Sequence, residues 1–95
     1  MPSGESHVGW VFQHQRSLLR RNLEAEREYP AEDQALADGV RSYIVVPLIA
    51  RGKSVGTLAV ASTQVNQYTE ADAVYLQEIA NQVALAVENM KAYEE

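Results

Sequence analysis

Few side chains in this chain are arranged for chemistry. His7 and His14 stand seven residues apart. On one helix they share a face, but two turns separate them by about 10 Å. That is too far to share one metal ion, and no carboxylate is placed to complete a ligand set. No metal site is expected, and both read as surface histidines. Ser17, Ser42, Ser54 and Ser62 lie outside any Gly-x-Ser-x-Gly pattern, with no His/Asp arrangement in view, so they read as turn or solvated serines. Glu24, Glu26, Glu28, Glu32, Asp33 and Asp38 form a charge run that reads as a solvated face. Paired acid–base work would need burial that the pattern does not suggest. Arg16, Arg20 and Arg21 are the one basic cluster. An anion could bind there, but the simpler reading is a solvated edge that balances the acidic run. Arg41 could pair with Asp38, a surface ion pair worth about 0–1 kcal/mol. The chain has no Cys. That removes a thiolate nucleophile, a thiolate zinc site, a disulfide framework and a thioether-linked chromophore. The glycines lack phosphate-loop spacing. No catalytic residue is assigned, no cofactor is implied, and the chain reads as a non-enzyme.

Binding remains. Trp10, Phe12, Tyr43, Val45, Pro47 and Leu58 are the candidates for lining a small-molecule pocket, since such pockets are apolar with a few polar groups. The competing reading is that they are a packed core. The net charge of −5 argues against nucleic acid as a direct partner, because phosphate binding needs a basic surface. No apolar run approaches the ~18–20 residues of a membrane span, and the first six residues are polar rather than signal-like. The expectation is a soluble, cytoplasmic protein.

The elements that must position these residues are legible. Ser6 can cap a short helix over residues 7–14. Residues 17–23 contain Leu18-Leu19 and suggest a short strand, and residues 24–29 a charged connection. Pro30 suits the first position of a helix and Gly39 the position just past its end, which frames a helix over residues 31–38. Two runs rich in β-branched residues, 43–50 and 55–62, flank Arg51-Gly52 and form a hairpin. With a two-residue loop, Tyr43, Val45, Pro47 and Ile49 share a face with Ser54, Gly56, Leu58 and Val60. Ile44, Val46 and Leu48 share the other with Val55, Thr57, Ala59 and Ala61. Both faces are apolar, so each needs a cover. Pro47 opposite Gly56 marks an interruption of the ladder, and a one-residue slip would invert the faces. Residues 69–94 form the clearest element. Thr69 and Asp72 make a variant capping box, and Ala73, Leu76, Ala80, Val83, Val87 and Met90 repeat at 3-4 spacing. Ile79, Ala84, Ala86 and Tyr93 widen the stripe. A helix of about 25 residues spans about 38 Å, so its end should project past a sheet of ordinary strands.

The order of Gly9-Trp10-Val11-Phe12, Gly39-Val40-Arg41-Ser42, Val46-Pro47-Leu48-Ile49, Val55-Gly56-Thr57-Leu58, Tyr68-Thr69-Glu70-Ala71-Asp72 and 79–89 (Ile-Ala-Asn-Gln-Val-Ala-Leu-Ala-Val-Glu-Asn) resembles the C-terminal part of a GAF domain. The resemblance covers roughly residues 5–95. It implies an α+β, PAS/GAF-like antiparallel sheet of about three strands, with the long C-terminal helix on one face and short helices on the other. Residues 1–95 would be a single domain lacking the family's first helix and first β-hairpin, which leaves 55–62 with an open edge. The resemblance also implies a regulatory module of sensor histidine kinases, transcription regulators or cyclic-nucleotide enzymes. Asn66-Gln67-Tyr68 lacks the Lys and Phe of the cyclic-nucleotide signature, and the bilin-binding and methionine-sulfoxide-reducing members use Cys, which is absent here. The expected function is small-ligand sensing, with signal relay through the C-terminal helix in a homodimer. The alternative is a structural homodimerisation module with no ligand.

Overall fold

The computed structural model describes residues 6–94, with side chains to residue 90, so Tyr93 lies outside the described side chains. Seven elements follow in order: α1 His7–His14, β1 Leu18–Arg20, α2 Leu23–Glu26, α3 Pro30–Ala37, β2 Ser42–Ala50, β3 Lys53–Ser62 and α4 Glu70–Glu94. The three strands form an antiparallel sheet in the order β1-β2-β3. This is the expected α+β arrangement: α4 covers one face, and the short helices lie on the other.

Each helix starts where its sequence provides acceptors. The Ser6 hydroxyl accepts from the N–H groups of Val8 and Gly9. At α4, Thr69 and Asp72 cap reciprocally: the Asp72 carboxylate accepts from Thr69 N–H at 2.9 Å, and the Thr69 hydroxyl accepts from Asp72 N–H at 3.3 Å. Pro30 opens α3, and Gly39 follows its end with φ +101°, a conformation that favours glycine. The charged connection holds one surprise. Leu23–Glu26 closes into a single helical turn because the Glu26 carboxylate accepts from Arg21 N–H and Asn22 N–H, both at 2.7 Å.

The hairpin corrects the expected face assignment. Near the turn the pairing is as anticipated, Ile49 opposite Ser54 and Ala50 opposite Lys53. Between Leu48 and Ile49 the register shifts by one residue. Beyond that bulge Leu48 faces Gly56, Val46 faces Leu58 and Ile44 faces Val60. Every side chain of β3 past the bulge therefore changes sides. The interruption falls one residue after Pro47, and a Cβ on Gly56 would stand 3.2 Å from Leu48 Cδ1, so glycine admits the Leu48 side chain. Leu58 thus leaves the face of Tyr43, Val45 and Pro47 and packs under α4.

Two apolar clusters result. On the α4 side, Ile44, Val46, Leu48 and Ala50 of β2 meet Ala73, Ala80 and Ala84, with Leu58, Val60 and Leu76 partly buried around them. Three alanines on the contact line let the helix approach the sheet closely. Gln77 adds a bond from its side-chain N–H to the Pro47 carbonyl at 3.0 Å. On the other side, Val11, Leu23, Tyr43 and Val45 pack with Trp10, Leu18, Leu36 and Val40. Arg51 at the hairpin turn lies 3.6 Å from the Glu88 carboxylate, so α4 reaches the end of the sheet near residue 88 and its last residues extend beyond it. Among the described residues no strand pairs with the outer edge of β3. No helix among them is long and apolar enough to cross a membrane.

Candidate functional site

The polar chemistry of this chain converges beneath α3. Arg20 and Tyr43 are direct partners across β1 and β2, so both project to the face opposite α4. Glu32, at the third position of α3, meets them. Arg20 Nε donates to Glu32 Oε2 at 2.8 Å, and the Tyr43 hydroxyl donates to the same oxygen at 2.5 Å. Glu32 Oε1 accepts from the backbone N–H groups of Glu28 and Tyr29, both at 2.9 Å. Glu32 is 0% exposed, Arg20 7% and Tyr43 3%. A buried charge is tolerable only when paired and hydrogen-bonded, and this carboxylate has four donors.

Sequence reasoning placed Glu32 and Arg20 on solvated surfaces, and both are corrected. Glu32 sits at the third position after Tyr29, where a carboxylate can reach back to the helix start. Once it does so, α3 turns it inward toward the only cation on that face of β1. His7 is also corrected. It is half-buried, its ring centroid lies 5.0 Å from that of Tyr43, and its Nδ1 is enclosed without a hydrogen-bond partner. His14 is exposed and stacks on Trp10 at 4.7 Å. Arg41 does not pair with Asp38; it donates to the Leu36 and Val40 carbonyls. Groups of His, Cys, Asp and Glu able to hold a metal ion are absent among the described residues.

The environment sets the protonation states. Burial alone would raise the Glu32 pKa, but the bonds from Arg20, Tyr43 and the backbone outweigh it and hold the carboxyl below its ordinary range. Burial and the Glu32 acceptor push the Tyr43 phenol up. Burial lowers His7, opposed by Glu32 and reinforced by Arg20. The signs predict acid sensitivity in two stages. A group with a depressed folded pKa binds fewer protons folded than unfolded, so stability falls as pH drops below the unfolded value. His7 should act from about pH 6.5 downward and Glu32 from about pH 4.5 downward. Urea midpoints measured from pH 8 to pH 3 should show both losses. His7→Gln should flatten the first and leave the second.

Of the pocket candidates, Tyr43, Val45 and Pro47 are buried on this face, Trp10 is partly buried and Phe12 is 45% exposed. Trp10, Tyr43 and Val45 are packed with Val11 and Leu23 rather than arranged around an open cavity. The grooves lie elsewhere. One of about 660 Å³ runs between β1, α2 and α4, lined by Leu19, Arg21, Glu26, Glu70, Ala73 and Gln77 among others. Another of about 320 Å³ lies between α4 and β3, beside Val60, Tyr75, Leu76 and Ile79.

The six-residue seam of α4 divides. Ala73 and Ala80 are buried against the sheet, Leu76 and Val87 are half-buried, and Val83 and Met90 are exposed at 37% and 63%. At roughly 100° per residue, Tyr75, Ile79, Val83, Ala86 and Met90 share one flank of the helix. That flank looks over the β3 side, because Tyr75 and Ile79 share the smaller groove with Val60.

A three-stranded antiparallel sheet with a long helix on one face and a closed polar clasp under short helices on the other defines a small α+β sandwich. The family model described as GAF domain matches residues 1–88, and the chain belongs to that family. Solved structures agree in fold. A free methionine-R-sulfoxide reductase from Neisseria meningitidis, in complex with its substrate, shares 27% identity at a TM-score of 0.82 over 98% of this chain and 53% of that one. The GAF domain of an Acinetobacter phosphoenolpyruvate-protein phosphotransferase shares 22% identity at 0.78, over 97% and 52%. A domain assigned to a two-component sensor histidine kinase of Sinorhizobium meliloti shares 14% at 0.74, over 83% and 55%. The chain spans about half the length of these structures. A search of curated proteins found no match.

Proposed function

We propose that this chain is a non-enzymatic regulatory module that senses a small ligand on the Tyr43 face and relays the signal through α4. The observation that carries the reading is the position of β2. Its Tyr43 and Val45 belong to the cluster under the short helices, while the alternate residues Ile44, Val46 and Leu48 bed α4. One strand thus separates the clasp from the relay helix, and Gln77 ties that helix directly to the β2 backbone. A shift of β2 on one side must be taken up by α4 on the other, since packed cores move between discrete arrangements. The absence of Cys supports the non-enzymatic part, because the resemblance assigns reductase chemistry to cysteine.

The relay acts in a homodimer, with the apolar flank of α4 and the open β3 edge against a second copy. A second reading, a structural dimerisation module without ligand, is favoured by the filled space around Tyr43 and Val45. Hydrogen exchange along α4 decides between them. With a small-molecule collection added, the sensing reading expects at least one compound to change protection over residues 73–88. Uniform protection with every compound, in a protein that is dimeric by light scattering, leaves the structural reading.

A further inference from the structure

We propose that Arg20 and Tyr43 form a seat for a ligand carboxylate, occupied here by the chain's own Glu32, and that α3 is the lid whose departure opens it. The proposal rests on the ligand-sensing reading above and names the class of ligand: a carboxylate with a small apolar body.

The attachment of α3 is unusual for a surface helix. Glu32 is the only buried side chain of this eight-residue helix. A surface helix ordinarily docks through an apolar stripe. Here the group that enters the core is an anion, and Ala35 and Leu36 pack only partly behind it. The N-terminal turn of α3 is therefore held to the sheet by one carboxylate that another carboxylate could replace, while Leu36 and its bond from Arg41 anchor the other end.

The donors to Glu32 fall into two groups. Arg20 and Tyr43 stand on paired strands and stay with the sheet. The N–H groups of Glu28 and Tyr29 that serve Oε1 belong to the lid and would leave with it. What remains on the sheet is a cation and a hydroxyl that converge on one point, a constellation suited to an anionic oxygen.

Arg20 divides its pairing between two carboxylates. A guanidinium can grip a carboxylate with two parallel N–H bonds. Glu32, tethered to its helix, takes only Nε. Arg20 Nη2 is paired instead with the carboxylate of Glu28 at 3.0 Å, on a side chain 66% exposed. His7 Nδ1, against the Tyr43 ring, is enclosed and unpartnered. A free carboxylate has no tether and could engage both Nε and Nη2, while Glu28 turns to solvent. Val11, Leu23, Leu18 and Val45 around the seat select the apolar body.

The test is chemical rescue. Glu32→Ala is titrated with sodium acetate against sodium chloride at equal ionic strength, and thermal unfolding is followed. Acetate should raise the midpoint saturably, by roughly 5–10 °C at about ten times its Kd, with no such rise in chloride. The rise should vanish in the Arg20→Met/Glu32→Ala double variant. Equal responses to acetate and chloride overturn the seat. Where Glu32→Ala does not fold, the intact protein decides. Hexanoate should lower exchange protection of the Glu28 and Tyr29 amides by about tenfold as Glu32 leaves, and unchanged protection overturns the proposal. The two readings fail separately. Rescue by acetate while α4 exchange stays unchanged keeps the seat and removes the relay; no rescue removes the seat and leaves the relay to a ligand of another class.

Discussion

Glu32→Ala is expected to destabilise the fold by about 3–5 kcal/mol, because it leaves the Arg20 guanidinium buried beside Tyr43 without its main counter-charge. Arg20 is 7% exposed, so water cannot easily take the place of the carboxylate. The variant also removes the acceptor for two backbone N–H groups at the start of α3. A small domain has only about 5–15 kcal/mol of stability in total, so the loss is a large fraction. Urea denaturation at pH 7 measures it. The companion variant separates charge from packing: Arg20→Met with Glu32→Leu removes both ions and should regain most of the loss, since replacing a buried pair with apolar groups is often neutral or stabilising. A loss under 1 kcal/mol for Glu32→Ala alone would show that the pair is not buried in solution.

Ile79→Glu with Val83→Glu is expected to turn a dimer into a monomer and weaken association at least about 100-fold, equivalent to about 2.7 kcal/mol. Both residues lie on the exposed flank of α4, each 37% exposed, beside the unpaired edge of β3. In a symmetric pair each substitution appears twice, so like charges meet across the interface. The folded monomer should tolerate the change, since Glu favours helix at least as well as Ile or Val and neither side chain is in the core. Light scattering across a concentration series reads the association, and urea denaturation confirms the intact fold. A wild-type chain that stays monomeric at 100 μM or so removes the homodimer altogether.

The fold was largely legible because its signals are local. The capping residues Ser6, Thr69 and Asp72, the Pro30 and Gly39 punctuation and the apolar runs at 43–50 and 55–62 each act within a few residues, and each lies where it was expected. The side chains of the clasp were not legible. Glu32 sits in a run of carboxylates that looks solvated; its place three residues after Tyr29 suits an acceptor for the helix start, but does not mark it as buried where Asp33 is exposed. What separates them is the crossing of α3 over β1, a tertiary fact that brings Glu32 to Arg20 across 12 positions of sequence. Leu58 was misplaced for a different reason. Counting from a two-residue turn gives the right register at Ser54 and the wrong one at Gly56: Pro47 and Gly56 mark an interruption of the ladder, but not the side on which the extra residue enters.

That bulge also makes the hairpin a lock on parity. The odd positions of β2 face the clasp throughout, but on β3 the helix-facing set past the bulge is Gly56, Leu58 and Val60. Pair the same residues in one uniform count from the turn, with no bulge, and the faces of β3 beyond it invert. Ala59 and Ala61 would then turn toward α4, and Leu58 and Val60 toward Tyr43. The helix would lose its bed on that strand just as the space around the clasp became overfull. A hairpin that lacked Val55 would keep Leu58 and Val60 under α4 with no bulge at all, so two hairpins that differ by that one residue carry the same wiring of the sandwich. A comparison that aligns them without a gap at that point would match core residues to the wrong side of the sheet.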